Sequence, residues 1–429
     1  MFDFTPSRTG VYPDATGITA ANVKSLTLRK VKLDGTVDSS PIYVNGRFVV
    51  TTTYGRTEAI DPATGAVTWR FTPSGYSSWA GSPQITTATP VADPTRKWIY
   101  AASPGGRIYK LSAATGHVAW SVSITRLPSR EKIASALNFA GGHVIATTGG
   151  YVGDAPPYQG HVAIIDAKSG NLLHVWNSLC SDRPGLLDPG SCDASDSAIW
   201  GRSGAVVDPS TGDLLVATGN APWNGSTNWG DAVLRLSGDA TRLLGNYTPT
   251  NTDQLNASDQ DLGSTSPVVL DAGHIAQGGK DGQIRVLSVT AMAGVSPHKG
   301  GELDVVATPS GADLFTAPAV WRTGSSTYLF AGDNGATAAW RYSGGHLTRV
   351  WRHRTGGTSP VVAGGLLWVY SPVGGLNVYA PASGRLVATL RCGSGHWNSP
   401  IVVDGRVALP EGNANDHATS GVLDIWSVR

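Results

Sequence analysis

Oxygen-bearing side chains crowd three short stretches of this sequence. Gly149–Gly160 holds Asp154, and Gly219–Gly230 holds Asn220, Asn224 and Asn228, with Asp231 next to it. Glu411–Ser420 holds Glu411, Asn413, Asn415, Asp416 and His417. A hard cation takes oxygen ligands, so Asn and Asp in such sets suit a metal such as Ca²⁺. Two further stretches carry charge, Asp259-Gln260-Asp261 and Lys280-Asp281-Gly282. A carboxylate can remove a proton, and an ammonium can stabilise a developing oxyanion. His396, His417 and Glu411 could instead supply acid and base groups to a metal-assisted lyase or hydrolase. Plainer readings stand beside these. The insertions could be solvated turns, Asp259 and Asp261 loop caps, and Lys280-Asp281-Gly282 a β-turn.

Several familiar sites are excluded. Asp259-x-Asp261 does not open an EF-hand loop, because its twelfth position is Leu270 rather than Glu. Gly278-Gly279-Lys280-Asp281 lacks the leading Gly and the Ser/Thr of a phosphate-binding loop. No Ser-hydrolase signature and no haem motif Cys-x-x-Cys-His occur, so electrons from any redox reaction would leave to a separate acceptor. Cys180 and Cys192 lie in a loop rich in Asp, Pro and Gly. A local disulfide is expected there, and with it an oxidising, secreted or periplasmic setting. Cys392 is left over and expected in the core. Met1–Thr5 has no apolar leader core, so the chain is read as a mature form.

The elements that must carry these loops follow from a repeat. Ser-Pro, a short apolar strand, a turn and a second strand recur at Ser40-Pro41, Ser359-Pro360 and Ser399-Pro400. Looser copies begin near Pro83, Ser135, Ser203, Pro267 and Pro318. A Thr-Gly-like turn follows, then a strand ending in Trp: Thr64-Gly65 leads to Trp69, Thr115-Gly116 to Trp120 and Ser169-Gly170 to Trp176. The compact copies are 40 to 42 residues long. Four strands of ~6 residues plus turns fill that length. One such sheet buries both faces only against neighbours, so eight must close into a ring. The expected fold is therefore an all-β, eight-bladed β-propeller of four-stranded antiparallel blades, a single domain over residues 1–429. Blades are expected to start near residues 39, 81, 134, 202, 265, 316, 358 and 398. Residues 22–33 belong to no blade and are expected to pair into the last one, closing the ring. The recurring Trp residues are read as packing between blades.

Composition agrees. The 429 residues include 54 Gly and 14 Trp, with only 15% charged and a net charge of +1. Near-neutral charge without a Lys/Arg cluster argues against a nucleic-acid surface. No apolar run of ~18 residues is present to span a membrane. A monomer is expected. The middle blades are long, and the three polar insertions fall between the second and third strands of their blades. Equivalent loops of a ring share one face, so their polar groups should meet near the axis.

The repeat as a whole resembles that of the eight-bladed quinoprotein dehydrogenases, which use pyrroloquinoline quinone (PQQ). Asp208 to Asn224, with Gly219-Asn220-Ala221-Pro222-Trp223-Asn224, is similar to their Gly-Asn-x-x-Pro-Trp-Asn segment. The resemblance implies that Asn220 ligates a Ca²⁺ or lanthanide ion beside PQQ. Asp259 and Asp261 match the family's Asp-x-Asp, implying a catalytic base at Asp259 and an extra metal ligand at Asp261. Lys280 falls where a Lys or Arg contacts the quinone oxygens. Asp154 lies one residue from the place of the metal-ligand Glu, which counts to Ala155. The aromatic floor Trp falls on Arg202, with Trp200 two residues away and Trp397 a further aromatic wall candidate. The adjacent Cys pair of the family is absent. Three functions follow as expectations. The first is an oxidoreductase for an alcohol or polyol with PQQ and Ca²⁺ or a lanthanide. The second is a non-catalytic scaffold, or a glycan-binding module using Trp223, Trp229 and Trp397. The third is the lyase or hydrolase above.

Overall fold

The computed structural model describes residues 1–428. Its strands form eight four-stranded antiparallel sheets, each built from consecutive strands except the last. That last sheet takes its outer strand from the start of the chain. Thr27–Leu33 pairs antiparallel with Gly421–Ser427, from Thr27 opposite Ser427 to Leu33 opposite Gly421. The chain thus closes its own ring and covers an edge that would otherwise be open. Strand pairing begins at Thr27 rather than at residue 22, because Val23–Ser25 forms one helical turn that buries Val23.

The innermost strands of the blades begin at Ile42, Val91, Asn138, Val206, Val268, Ala319, Val361 and Ile401. Each Pro of the repeat sits one residue before its strand: Pro41, Pro90, Pro267, Pro318, Pro360 and Pro400. The second blade therefore opens at Pro90, not near residue 81. Ser82-Pro83 lies in the connection that follows the short helix Tyr76–Trp79.

The Trp residues lie within the outer strands rather than at their ends, and they pack onto the next blade. Trp69 donates its indole N–H to the Ala113 carbonyl at 3.0 Å, and Trp351 donates to that of Pro381 at 2.8 Å. Each indole lies over the glycine of the neighbour's Thr/Ser-Gly turn. A Cβ on Gly116 would stand 2.6 Å from Trp69, and one on Gly384 2.6 Å from Trp351. Cys180 and Cys192 form a disulfide. Cys392 is half-buried rather than in the core, its Sγ accepting from the Gly375 N–H at 3.2 Å.

The N-terminal residues cross the inner strands on the side away from the polar loops. Pro6, Thr9 and Gly10 accept backbone hydrogen bonds from Val207, Val320 and Val362. Phe2 packs on Ala136 and Ala317, and the buried Arg8 guanidinium donates to the Leu137 carbonyl at 2.7 Å.

Candidate functional site

The repeat itself builds an axial cavity of about 600 Å³. Four residues before each innermost strand stand Asp38, Thr87, Ala134, Arg202, Ser264, Phe315, Gly357 and Trp397. All but Ser264 and Gly357 line the cavity. The irregular loops of the same face complete it with Gly150–Asp154, Tyr158, Asn220, Ser258–Asp261, Lys280 and Asn415. The eight residues to which the quinoprotein resemblance points are therefore brought to one cavity: Asp154, Trp200, Arg202, Asn220, Asp259, Asp261, Lys280 and Trp397.

On one side stands a charged cluster. The Lys280 ammonium lies 2.6 Å from Asp261 Oδ2 and 2.9 Å from Asp259 Oδ1. Asp261 Oδ1 accepts from the Asn220 backbone N–H at 2.6 Å. Gly219 permits that approach, since a Cβ there would stand 2.5 Å from Asp261 Oδ1. Below them Asp231, fully buried, accepts from the Leu262 N–H at 2.9 Å and leaves Oδ2 without a partner. Burial pushes the Asp231 carboxyl up to about 8. Burial likewise raises Asp261, against the pull of Lys280. Asp259 is the open member, its side chain 61% exposed.

The opposite wall is aromatic. Phe315 stacks on Trp397 at 5.3 Å, Trp397 meets Trp200 at 5.7 Å, and His396 stacks on Trp397 at 3.9 Å. Trp200 and Trp397 touch one another, so they form one continuous wall and not two layers with a slot between them. The Lys280 ammonium stands 5.6 Å over the Trp200 ring.

The floor is cationic. Arg202 is buried, donates to the Asp38 carbonyl at 2.9 Å and leaves Nε unpaired. Lys132 is also buried and lines the cavity with no hydrogen-bond partner for its ammonium among the described residues. Burial lowers it to about 8, opposed by the charge of Asp38. Asp38 gives the floor no free anion. Its carboxylate is taken by His396 at 2.7 Å and by the backbone N–H groups of Trp397 and Ala414 at 3.1 Å each.

Other expected groups lie elsewhere. Glu411 is bound to Lys30 at 2.8 Å and to the Gly393 N–H, outside the cavity lining. His417 also lies outside that lining, so His396, His417 and Glu411 do not assemble one acid–base site. Trp229 is 1% exposed and packs in a blade core, which removes it from any glycan-binding surface. Lys132, Asp38 and Phe315 were not anticipated. The repeat position four before each inner strand is the signal that marks Asp38 and Phe315.

The sequence model of the PQQ_2 family, described as outer membrane protein assembly factor BamB, matches residues 14–173 and again 55–238. Together these span more than half of the chain. The chain belongs to this PQQ-repeat propeller family. It is also 26% identical over 326 residues to quinohemoprotein alcohol dehydrogenase ADH IIB of Pseudomonas putida, covering 67% of this chain and 45% of that one. It is 27% identical over 217 residues to an alcohol dehydrogenase (quinone), dehydrogenase subunit, of Gluconobacter oxydans, covering 44% and 28% respectively. The PQQ-repeat propeller thus spans less than half the length of either relative. Among solved structures it is similar to the quinohemoprotein alcohol dehydrogenase of Comamonas testosteroni (TM-score 0.75, 17% identity), covering 100% of this chain and 80% of that one. A europium-containing methanol dehydrogenase gives a TM-score of 0.72 at 16% identity, covering 100% and 97%. BamB from Moraxella catarrhalis gives 0.58 at 14%, covering 94% and 98%. At these identities the structures show the shared propeller fold.

Whether the cavity suits PQQ and a metal is a question of donors. Lys132 and Arg202 on the floor, a planar aromatic wall and about 600 Å³ fit a flat, carboxylated ring, while the carboxylates of the lining, Asp38, Asp154, Asp259, Asp261 and Asp313, must face away from its own. A Ca²⁺ or lanthanide ion takes roughly six to eight oxygens. Among the described residues no three carboxylate, His or Cys side chains gather to hold one. Asp261 spends one oxygen on Asn220 and the other on Lys280, and Asp154 accepts from the Tyr158 hydroxyl at 2.8 Å. The donor set does not fit the metal.

Proposed function

We propose that the axial cavity binds a planar, anionic quinone of the PQQ class and that the chain is a quinoprotein-type oxidoreductase for an alcohol or polyol. One observation carries this reading. Buried Lys132 and Arg202 face the same cavity as Lys280 and the Trp200–Trp397–Phe315 wall, and among the described residues no hydrogen bond or ion pair engages the Lys132 ammonium. A buried ammonium without a partner is costly unless a ligand anion meets it.

Each part of the cavity then has a task. Lys132 and Arg202 take ring carboxylates, and the wall covers one ring face. Lys280 has three N–H donors, two of them committed to Asp259 and Asp261, which leaves one for a ring oxygen. When bound, the quinone supplies a two-electron acceptor. Asp259 Oδ2, free and facing the opening, is the group placed to hold the proton of an alcohol. A separate electron acceptor would reoxidise the ring, and the disulfide supports a secreted or periplasmic setting.

The description of the matched family favours a second reading, a non-catalytic scaffold. Titration of the purified chain with PQQ, followed by tryptophan quenching and by dye reduction with a panel of alcohols, separates the two. Saturable micromolar binding with alcohol-dependent turnover supports the oxidoreductase. Absence of PQQ binding sinks it.

A further inference from the structure

Two carboxylates facing one cavity need a counter-charge, and the chain brings its own. Asp261 has a side chain 6% exposed and Lys280 one 15% exposed, with 2.6 Å between their charged atoms. Asp259 completes the pair of carboxylates about one ammonium at 2.9 Å. Backbone geometry fixes this arrangement from both sides. The Lys280 N–H donates to the Asp261 carbonyl at 3.0 Å, so the two residues are tied by main chain as well as side chain. Asp261 Oδ1 is held by Asn220 through its N–H rather than its amide oxygen. Both oxygens of Asp261 and one of Asp259 are thus engaged, and only Asp259 Oδ2 and the buried Asp231 Oδ2 are left without a partner among the described residues. A metal ion would have to displace the ammonium and leave it buried beside a like charge.

We infer that the Lys280 ammonium is itself the cation of this cluster, and that the cavity takes its anionic ring ligand without a bound metal ion. The second half of this statement rests on the proposed quinone-type ligand. The first half does not, and can be tested with no ligand present.

The test is titration of the full chain with Tb³⁺, read as luminescence sensitised by Trp200 and Trp397. Wild type is expected to give no saturable signal below about millimolar Tb³⁺, whereas carboxylate loops built for cations bind orders of magnitude tighter. Lys280→Gln removes the internal cation but keeps the chain length near that of Lys. It is expected to gain saturable Tb³⁺ binding at least about tenfold tighter than wild type, because affinity follows the net charge of the ligand set. Adding Asp261→Asn to that variant should abolish the gain. Circular dichroism before titration establishes that each variant is folded.

Micromolar Tb³⁺ binding by wild type, lost in Asp261→Asn, would overturn the inference. So would a folded Lys280→Gln variant that binds no better than wild type. Should that variant fail to fold, the wild-type titration decides alone. PQQ affinity measured in EDTA and again with Ca²⁺ tests the second half. Equal affinities are expected, and a gain of tenfold or more with Ca²⁺ would refute it. Failure of PQQ to bind under either condition would count against the proposed ligand, while the Tb³⁺ result still judges the internal cation.

Discussion

His396 Nδ1 and Asp38 Oδ2 stand 2.7 Å apart, with Asp38 fully covered and the His396 ring stacked on Trp397 at 3.9 Å. One buried carboxylate thereby sets the angle of the aromatic wall. Burial disfavours its charge, but the His396 bond and the neighbouring Arg202 outweigh this and hold Asp38 at about 2. The folded value lies below the ordinary 3.8, so the stabilisation is present above about pH 4 and is lost as pH falls toward 2. It amounts to about 2 kcal/mol. Asp38→Asn offers N–H donors to groups that are already donors. It should lower the unfolding midpoint at pH 7, flatten the acid limb and weaken binding of a planar ligand about tenfold. An unchanged near-ultraviolet dichroism spectrum and unchanged affinity would contradict this role for Asp38.

Lys132 makes the opposite exchange between stability and binding. Its burial lowers it to about 8 from 10.5, so the unfolded chain holds more protons in that window and stability rises with pH across it. Below pH 8 the full penalty applies. Lys132→Met should raise the unfolding midpoint at pH 7 and flatten the profile between pH 8 and 10.5. The same change should weaken PQQ by about tenfold or more through loss of a charge-assisted hydrogen bond. A flat quinone without carboxylates should bind both forms alike. A midpoint that falls in Lys132→Met would mean that the ammonium already has a partner.

Much of this ring can be read from the chain because repetition amplifies weak signals. One Ser-Pro strand is uninformative, but its recurrence gives blade number, closure by residues near Thr27–Leu33, and the shared face of the insertions. Residues such as Asn220 and Lys280 were legible because they sit in local motifs. Lys132 was not, because nothing in Glu131-Lys132-Ile133 distinguishes a buried ammonium from a surface one. Burial of a charge is a property of the closed ring. The Lys280–Asp261 contact joins the connection leading into the fifth blade to a turn within that blade, and the metal expected at Asn220, Asp261 and Asp154 presumed an Asp261 carboxylate free of that ammonium. The eighth-blade Glu411 faces Lys30, on the closing strand, for the same reason: only ring closure brings them together.

That closure contains a titrating clasp. Lys30 on the first strand lies 2.8 Å from Glu411 and 3.3 Å from Asp424 on the last blade. Asp424 has no exposed side-chain surface, and burial with the adjacent Glu411 raises it to about 7. A carboxyl raised in the folded state stabilises most below its ordinary 3.8, and the contribution is lost as pH climbs to about 7. Asp424→Asn keeps the shape without the charge. Its unfolding midpoint should exceed that of wild type at pH 8 and converge with it near pH 4. A variant less stable at pH 8 would show that the ionised pair holds the ring shut.

The contact between blades can be isolated with two glycines of the same turn motif. Gly116 and Gly212 have nearly equal φ, +73° and +78°. Alanine at either position meets the left-handed strain of about 1 kcal/mol. Only at Gly116 does the new methyl meet an indole, 2.6 Å from Trp69, whereas at Gly212 nothing lies within 4 Å. Gly116→Ala must therefore push Trp69 off the turn and disturb its 3.0 Å hydrogen bond to Ala113. It should destabilise by about 1–3 kcal/mol more than Gly212→Ala, the usual penalty of overpacking. Chemical denaturation of the two variants measures the difference directly. Removing the indole with Trp69→Ala in both backgrounds should erase it, because the strain of the turn is common to both and the clash is not. Equal destabilisation of the two single variants would leave strain as the whole effect and deny the indole a part in seating one blade on the next.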